Sequence, residues 1–266
     1  MRPLAVVGNL SLDRVDGGEP RVGGPPFHAA RALRVLGRRA IVAVKAADAD
    51  RRVLAAPLVR LGLPVLWRGG ASSAAFSMSY VGDLRTMVVD AIGPTWTPED
   101  LRGLERVDWV HVGALARSDF PAETLAVLAR DRKLSLDGQG LTRPARTGPL
   151  TLEGEPDRAV LRHVSVLKLA EEEAHALVGK LDEDALRSLG VPEVVVTLGS
   201  RGSLVLAGRR LTAVPAQPVG EPIDPTGAGD AFAVAYLVSR AAGYAPVPAA
   251  RRASALVAGL LGRRLR

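Results

Sequence analysis

The sequence predicts an α/β fold in which helices cover both faces of a mostly parallel central sheet. Short aliphatic runs bounded by turn residues are typical of strands buried on both faces, and they occur at residues 4–7, 41–44, 109–112, 133–136, 164–167 and 194–197. Helix-like segments lie between several of them, at residues 27–36, 51–61, 121–130 and 171–178. Strands that alternate with helices indicate parallel crossovers, since each crossover needs a helix.

Two segments interrupt this alternation. Residues 11–24 are rich in glycine and charge, and residues 74–91 contain two strand-like runs around a Gly82-Asp83 turn. The second segment predicts a β-hairpin, which does not fit a strand-helix-strand unit. It is either a lid over a site or an ordinary hairpin at a sheet edge. Because no linker is evident, residues 1–266 are expected to form one domain with lid segments near 11–24 and 74–91.

Composition excludes several classes of function. Only 4% of the residues are aromatic, which disfavours stacking on nucleic-acid bases, and the net charge of +7 arises largely from scattered arginine pairs typical of solvated helix faces. We therefore expect no nucleic-acid partner. The chain has no cysteine, so disulfides and thiolate metal sites are excluded and a cytoplasmic location is expected. The first apolar run breaks at Gly8-Asn9, too early for a membrane span, and no membrane partner is expected.

A glycine-rich turn ahead of a helix is the most informative local feature. In the run IDPTGAGDAFAVAYL, Thr226 is a natural N-cap, and the residues from Gly227 through Ala228 to Gly229 let the backbone approach a ligand closely. The free N–H groups of a helix N-terminus favour an anion such as phosphate. Asp230 beside such a site is either a base for an attacking hydroxyl or a first-turn acid that complements the helix dipole.

This run resembles the DTTGAGDxF signature of the ribokinase (PfkB) family of carbohydrate and nucleoside kinases, with Pro225 in place of the more usual threonine. The resemblance covers nearly the whole chain, because further segments are similar to family elements: VGGPPFHAARALRVLG, EVVVTLGSRGSLVL, NLSLDRV and FSMSYVGDLRTM. It implies a three-layer α/β/α sandwich with a small β-lid. It also implies ATP-dependent phosphoryl transfer to a hydroxyl of a sugar, cyclitol or nucleoside.

The resemblance carries specific roles onto residues of this chain. Asp230 matches the catalytic base, and Gly227, Ala228 and Gly229 match the anion hole that holds the transferring phosphate. Acceptor-binding positions are matched by Asp13, Gly23 and Gly24, and nucleotide-binding positions by Thr197, Gly199, Gly202 and Thr226. A homodimer through the lid is a further expectation.

Departures from the family pattern leave several roles open. In VLKLAEEEAHAL, Ala170 stands where the NxxE motif has asparagine, and Glu173 is either a ligand to Mg²⁺ or a solvated helix acid. His28 replaces a frequent asparagine, so it either contacts the acceptor or caps local backbone. Arg85 either binds an acidic group of the acceptor or is exposed on the lid, and Asp137 either binds a ligand or caps a turn.

Other catalytic motifs are absent from the sequence. It contains no GxxxxGK(S/T) phosphate loop, no GxSxG nucleophile turn and no closely spaced histidine pair for zinc. The main alternative is a catalytically weakened relative that serves as a ligand-binding or regulatory protein. Ala170 favours this alternative, whereas the retained Asp230 argues against it.

Overall fold

The computed structural model describes residues 4–81, 84–219 and 226–263. The strands are β1 (Leu4–Asn9), β2 (Ser11–Val15), β3 (Arg21–Gly23), β4 (Ala40–Ala47), β5 (Val65–Gly70), β6 (Ala74–Val81), β7 (Leu84–Ala91), β8 (Trp109–Gly113), β9 (Lys133–Asp137), β10 (Gly148–Pro149), β11 (Val166–Ala170), β12 (Glu193–Thr197), β13 (Ser203–Ala207) and β14 (Arg210–Val214). The helices are α1 (Pro25–Val35), α2 (Arg51–Val59), α3 (Ala122–Ala129), α4 (Gln139–Thr142), α5 (Arg158–Leu161), α6 (Glu171–Val178), α7 (Glu183–Arg187), α8 (Ala228–Ala241) and α9 (Pro246–Arg263).

The main sheet has the strand order β14-β13-β12-β11-β9-β8-β1-β4-β5. From β12 to β5 all neighbouring strands are parallel, while β13 and β14 are antiparallel additions at one edge. The predicted mostly parallel sheet is therefore confirmed. Each predicted strand lies on an observed one, with bounds that differ by one to a few residues.

Helices cover both faces of this sheet, as strand β1 illustrates. Its side chains alternate in direction, so Ala5 and Val7 pack in one cluster with buried residues of α3 and α6. Leu4 and Val6 point the opposite way and pack with buried residues of α1 and α8. The three-layer α/β/α sandwich is thus confirmed. No helix within the described ranges is long and apolar enough to cross a membrane.

A second, five-stranded sheet has the order β10-β7-β6-β2-β3, and both segments that interrupt the sequence pattern contribute to it. The predicted hairpin is present as β6 and β7, in which Met78 pairs with Met87. The turn at Gly82-Asp83 lies outside the described residues. On the face opposite Met78, the Ser77 hydroxyl donates to Asp90 at 2.7 Å. The second sheet therefore has an apolar inner face and a more polar outer face.

The parallel strands of the main sheet end at one common edge, and functional groups collect there. Strands β1, β8, β9, β11 and β12 run in the same direction, so the residues that follow them lie side by side. Ligands of open α/β sheets bind outside this carboxyl edge. The fold therefore places the candidate site between this edge and the second sheet.

Candidate active site

A cavity of about 190 Å³ lies between the second sheet and the carboxyl edge of the main sheet. The second sheet contributes one wall, formed by Ser11, Asp13, Phe76, Met78 and Met87. Residues that follow the strands of the main sheet form the opposite wall, and the N-terminus of α8 closes it. The cavity thus combines an apolar cover with a polar floor, which is typical of small-molecule sites.

The N-terminus of α8 begins one residue later than the sequence predicts. Thr226 is not the N-cap; that position belongs to Gly227, which adopts a left-handed conformation with φ of 77°. A Cβ atom at Gly227 would lie 2.3 Å from Nδ1 of His28, so glycine is required both by the backbone angle and by the close approach. Thr226, Gly227 and Gly229 all line the cavity, whereas Pro225 lies outside the described residues.

Asp230 projects from the first turn of α8 into the cavity. Its side chain is buried, and Oδ1 accepts no hydrogen bond from the described residues. Burial raises the pKa of Asp230 to about 7, and the charge of Asp137 adds to this, while Lys168 and Arg143 oppose it. A carboxyl group with a pKa near neutrality is suited to proton transfer at physiological pH.

Lys168 and Arg143 are cavity residues that the sequence reasoning missed. Lys168 lies in β11 with its ammonium 3.5 Å from Oδ2 of Asp137, at the end of β9. Although burial lowers the pKa of Lys168, the charges of Asp137, Glu173 and Asp230 raise it overall, so the ammonium remains protonated. A lone lysine within an apolar strand was the available signal for this residue.

Glu173 is buried in the first turn of α6, so the alternative of a solvated helix acid is wrong. Its Oε2 accepts a hydrogen bond from the Ala170 N–H at 2.7 Å, and burial raises its pKa although Lys168 opposes the shift. A Cβ at Gly138 would lie 2.5 Å from the same oxygen. Gly138 therefore leaves the space that this carboxylate occupies at the cavity wall.

Glu173 could supply one carboxylate ligand to Mg²⁺, with the other ligands coming from phosphate and water. The described residues contain no group of three His, Asp or Glu side chains that could hold a metal ion by itself. Magnesium in phosphoryl-transfer sites is commonly held by one or two carboxylates, with phosphate oxygens and waters as the other ligands. A buried carboxylate on the cavity wall, as at Glu173, meets that requirement.

The predicted acceptor-binding residues lie together on the side of the second sheet. Asp13 is buried in β2, and a Cβ at Gly23 would lie 1.9 Å from its Oδ2. Gly24 has φ of 93° at the start of α1, where a Cβ would meet the Asn9 carbonyl oxygen at 2.6 Å. Gly23 therefore lets β3 approach Asp13 closely, and Gly24 lets the start of α1 approach the backbone that follows β1. Arg85 falls within β7, but its side chain lies outside the described part of the structure.

The predicted nucleotide-binding turn lies beside the cavity, one strand farther along the sheet. Thr197 at the end of β12 pairs with Ala170 of β11. Ala170 is part of the cavity wall, whereas Thr197 is not among the residues that line it. Gly199 and Gly202 have φ of 59° and 102°, and a Cβ at Gly202 would meet the Val214 carbonyl oxygen at 2.1 Å. These two glycines thus have backbone reasons for their identity.

Two curated kinases are similar to parts of this chain. Ribokinase of Bacillus subtilis is 31% identical over 166 residues, which are 61% of this chain and 53% of that protein. Cytidine kinase of Thermococcus kodakarensis is 41% identical over 93 residues, 33% of this chain and 32% of the relative. The chain therefore spans about half of the length of the ribokinase and a third of that of the cytidine kinase.

Solved structures share the fold over almost the whole chain. A pyrophosphate-dependent kinase in the ribokinase family, complexed with a pyrophosphate analog and myo-inositol, has a TM-score of 0.85 at 24% identity and covers 97% of this chain and 94% of its own. Arabidopsis thaliana ribokinase, complexed with ribose and ATP, has a TM-score of 0.76 at 19% identity, with coverage of 98% and 92%.

A family model provides the assignment. The model of the pfkB family carbohydrate kinases matches residues 90–263. This range includes β11, the turn that follows β12, and the N-terminus of α8. The resemblance seen in the sequence motifs is thereby confirmed. The chain belongs to the pfkB family of carbohydrate kinases.

Proposed function

We propose that the chain transfers the terminal phosphoryl group of ATP to a hydroxyl of a sugar, cyclitol or nucleoside. The observation that carries this proposal is Asp230, a buried carboxyl group with a pKa of about 7 that opens on the cavity from a helix N-terminus. A proton acceptor and an anion-binding helix end thus lie in the same turn. Phosphoryl transfer needs both groups together.

The chemical step can be written with these residues. The acceptor oxygen attacks the terminal phosphorus while its proton passes to the Asp230 carboxylate, and the bond from phosphorus to the bridging oxygen breaks. The electron pair of that bond leaves on the released ADP. The N–H groups at the start of α8, from Gly227 to Gly229, are proposed to bind the non-bridging oxygens, on which charge accumulates.

The remaining groups are proposed to position the substrates. Asp13 is placed to accept hydrogen bonds from acceptor hydroxyls, and His28 lies where it can contact either the acceptor or the phosphoryl group. The turn formed by Thr197, Gly199 and Gly202 is proposed to hold the nucleotide. Mg²⁺ would be held by Glu173 and would neutralise charge on the donor phosphates.

The second sheet is proposed to act as a lid that excludes water during transfer. Phe76, Met78 and Met87 present apolar surface to the cavity, which suits the exclusion of water from a reactive phosphate. Dimerisation through this sheet and a cytoplasmic location stay predictions. Sedimentation of the purified protein with and without acceptor tests the first of these.

The acceptor and donor are identified by a combined screen. Sugars, inositols and nucleosides are each tested with ATP and with pyrophosphate, because the solved relatives include a pyrophosphate-dependent kinase with myo-inositol and a nucleoside kinase with inosine. A true acceptor is expected both to raise the melting temperature and to give turnover. Turnover with pyrophosphate but not with ATP would contradict ATP as the donor. Stabilisation by a ligand without turnover with either donor would contradict phosphoryl transfer altogether.

That contradicting result would favour the second candidate, a ligand-binding relative without catalysis. Ala170 is the observation that favours it, because alanine supplies no polar side-chain group at the end of β11.

A further inference from the structure

Lys168 lines the cavity, and its buried ion-pair partner Asp137 lies behind the lining residues. Neither residue has a role in the mechanism above. Asp137 is fully buried, and its Oδ1 accepts no hydrogen bond from the described residues. Lys168 is 5% exposed and lies 3.5 Å from the other carboxylate oxygen. A buried ion pair with incomplete hydrogen bonding is a poor source of stability, and a buried charged group that lines a cavity is typical of a functional site.

The ammonium of Lys168 lies against the phosphate-binding turn. A Cβ atom built on Gly229 would stand 2.9 Å from Nζ, so the absence of a side chain at Gly229 leaves room for the ammonium. Gly229 also lies in the first turn of α8, where free N–H groups favour an anion. The amine and the helix end therefore act on the same small region of the cavity.

A second buried lysine, Lys45, provides a comparison, because its ammonium contacts protein oxygens and lies outside the cavity. Lys45 in β4 is 7% exposed, and its Nζ donates to Asp100 Oδ2 at 2.5 Å and to the Thr95 carbonyl at 2.8 Å. These short contacts hold the ammonium between protein oxygens. The longer 3.5 Å separation of Lys168 from Asp137, and its place on the cavity wall, leave it able to contact a ligand.

We infer that Lys168 is a further catalytic residue, whose ammonium binds a non-bridging oxygen of the transferring phosphoryl group. Asp137 is the positioning residue that holds the ammonium beside Gly229. A fixed protein cation neutralises charge that spreads onto the phosphoryl oxygens without reorganisation during the reaction. It also offsets the lack of a polar side chain at Ala170, two residues along the same strand. This inference rests on the proposed function.

The test uses inorganic phosphate as the probe and isothermal titration calorimetry of the full chain at low salt. The parent is expected to bind phosphate, and Lys168→Met is expected to weaken binding at least about tenfold, because a charge-assisted contact is lost. Lys168→Arg retains the charge and should recover part of the affinity. Lys45→Met is the matched control and should bind phosphate as the parent does.

A charge-balanced variant guards against a folding defect. Lys168→Met leaves Asp137 without its counter-charge, so the double variant Lys168→Met/Asp137→Asn removes both charges and is expected to fold and still to lose phosphate binding. In the kinase assay, either variant should lower kcat by about 10²–10³-fold, while the acceptor KM stays within about threefold.

The outcomes separate this inference from the proposed function. Failure of the parent to bind phosphate, or equal binding by the parent and both Lys168→Met variants, would overturn the role of Lys168 even if the chain is an active kinase. Lysine-dependent phosphate binding in a chain that phosphorylates no acceptor would support the anion site and contradict the proposed function.

Discussion

Replacement of Asp230 by asparagine is expected to make the protein more stable and less active at the same time. The folded protein raises the pKa of Asp230 from 3.8 to about 7, mainly through burial. Since the folded pKa is the higher one, the carboxyl group contributes no penalty below about pH 4. The penalty grows as the pH rises and is complete above about pH 7.

The size of the effect follows from that shift. Each pH unit corresponds to about 1.4 kcal/mol, so the ionised carboxylate destabilises the fold at pH 8 by at most about 4 kcal/mol. Asp230→Asn keeps the shape of the side chain but cannot ionise. We therefore expect a gain of about 1–4 kcal/mol in the free energy of unfolding at pH 8, or several degrees in melting temperature, and about a quarter of that gain at pH 4.5.

Activity should change in the opposite direction. Loss of a general base typically lowers kcat by about 10²–10⁴-fold. Melting temperature and kcat are measured for the parent and Asp230→Asn across pH 4.5–8, with Glu172→Gln as the control, because Glu172 is an exposed carboxylate at the cavity rim. A kcat above about a tenth of the parental value would refute the role of Asp230 as base, and a pH-independent stability change would refute the ionisation argument.

Three further predictions concern other positions. Gly227→Ala should lower both the free energy of unfolding and kcat, because the φ of Gly227 is 77° and the added Cβ would meet His28. The control is Gly259→Ala in α9, where the added Cβ has open space; urea unfolding should show it neutral or stabilising by about 0.5–1 kcal/mol. Burial lowers the pKa of His111 to about 4, so the folded protein binds this proton at a lower pH than the unfolded chain does. The free energy of unfolding should therefore fall as the pH drops from about 6.5 to about 4, and His111→Gln should reduce this fall by about 2–3 kcal/mol. Ala170→Asn places a capping side chain at the start of α6 and should raise the free energy of unfolding by about 0.5–2 kcal/mol. It should also lower the Mg²⁺ concentration needed for half-maximal activity. No change in either quantity would show that position 170 contributes neither to helix capping nor to Mg²⁺ binding.

Local sequence pattern was sufficient for most of the fold. The predicted helix at 171–178 coincides with α6 (Glu171–Val178), and the six predicted strands all lie in the main sheet. These elements are encoded by apolar runs and their flanking turn residues, which act over short distances. The pairing of the segments at 11–15 and 74–81 into one sheet was not predicted, because contacts between distant segments leave no local periodic signal.

The candidate site was predictable only where a motif carries it. Asp230 and the glycines before it stand in one continuous run, and Asp13, Gly24 and His28 also reach the cavity as the resemblance implies. Lys168 is a cavity residue because β11 lies between β9 and β12, with α8 approaching from another part of the chain. The N-cap of α8 is Gly227 because of the left-handed backbone angle of that residue. The sequence does not show this angle, and threonine is a favourable N-cap residue, so the pattern predicted Thr226 instead.

Transfer of a phosphoryl group onto an alcohol is tested most simply by measuring both products of the reaction. The parent protein is incubated with ATP, Mg²⁺ and the acceptor that stabilises it, and phosphorylated acceptor and ADP are quantified together by mass spectrometry and ³¹P NMR. We expect equal amounts of the two products, formed only when the acceptor is present and abolished by Asp230→Asn. ADP released with free phosphate and no phosphorylated acceptor, or no turnover in the presence of a bound acceptor, would contradict this transfer.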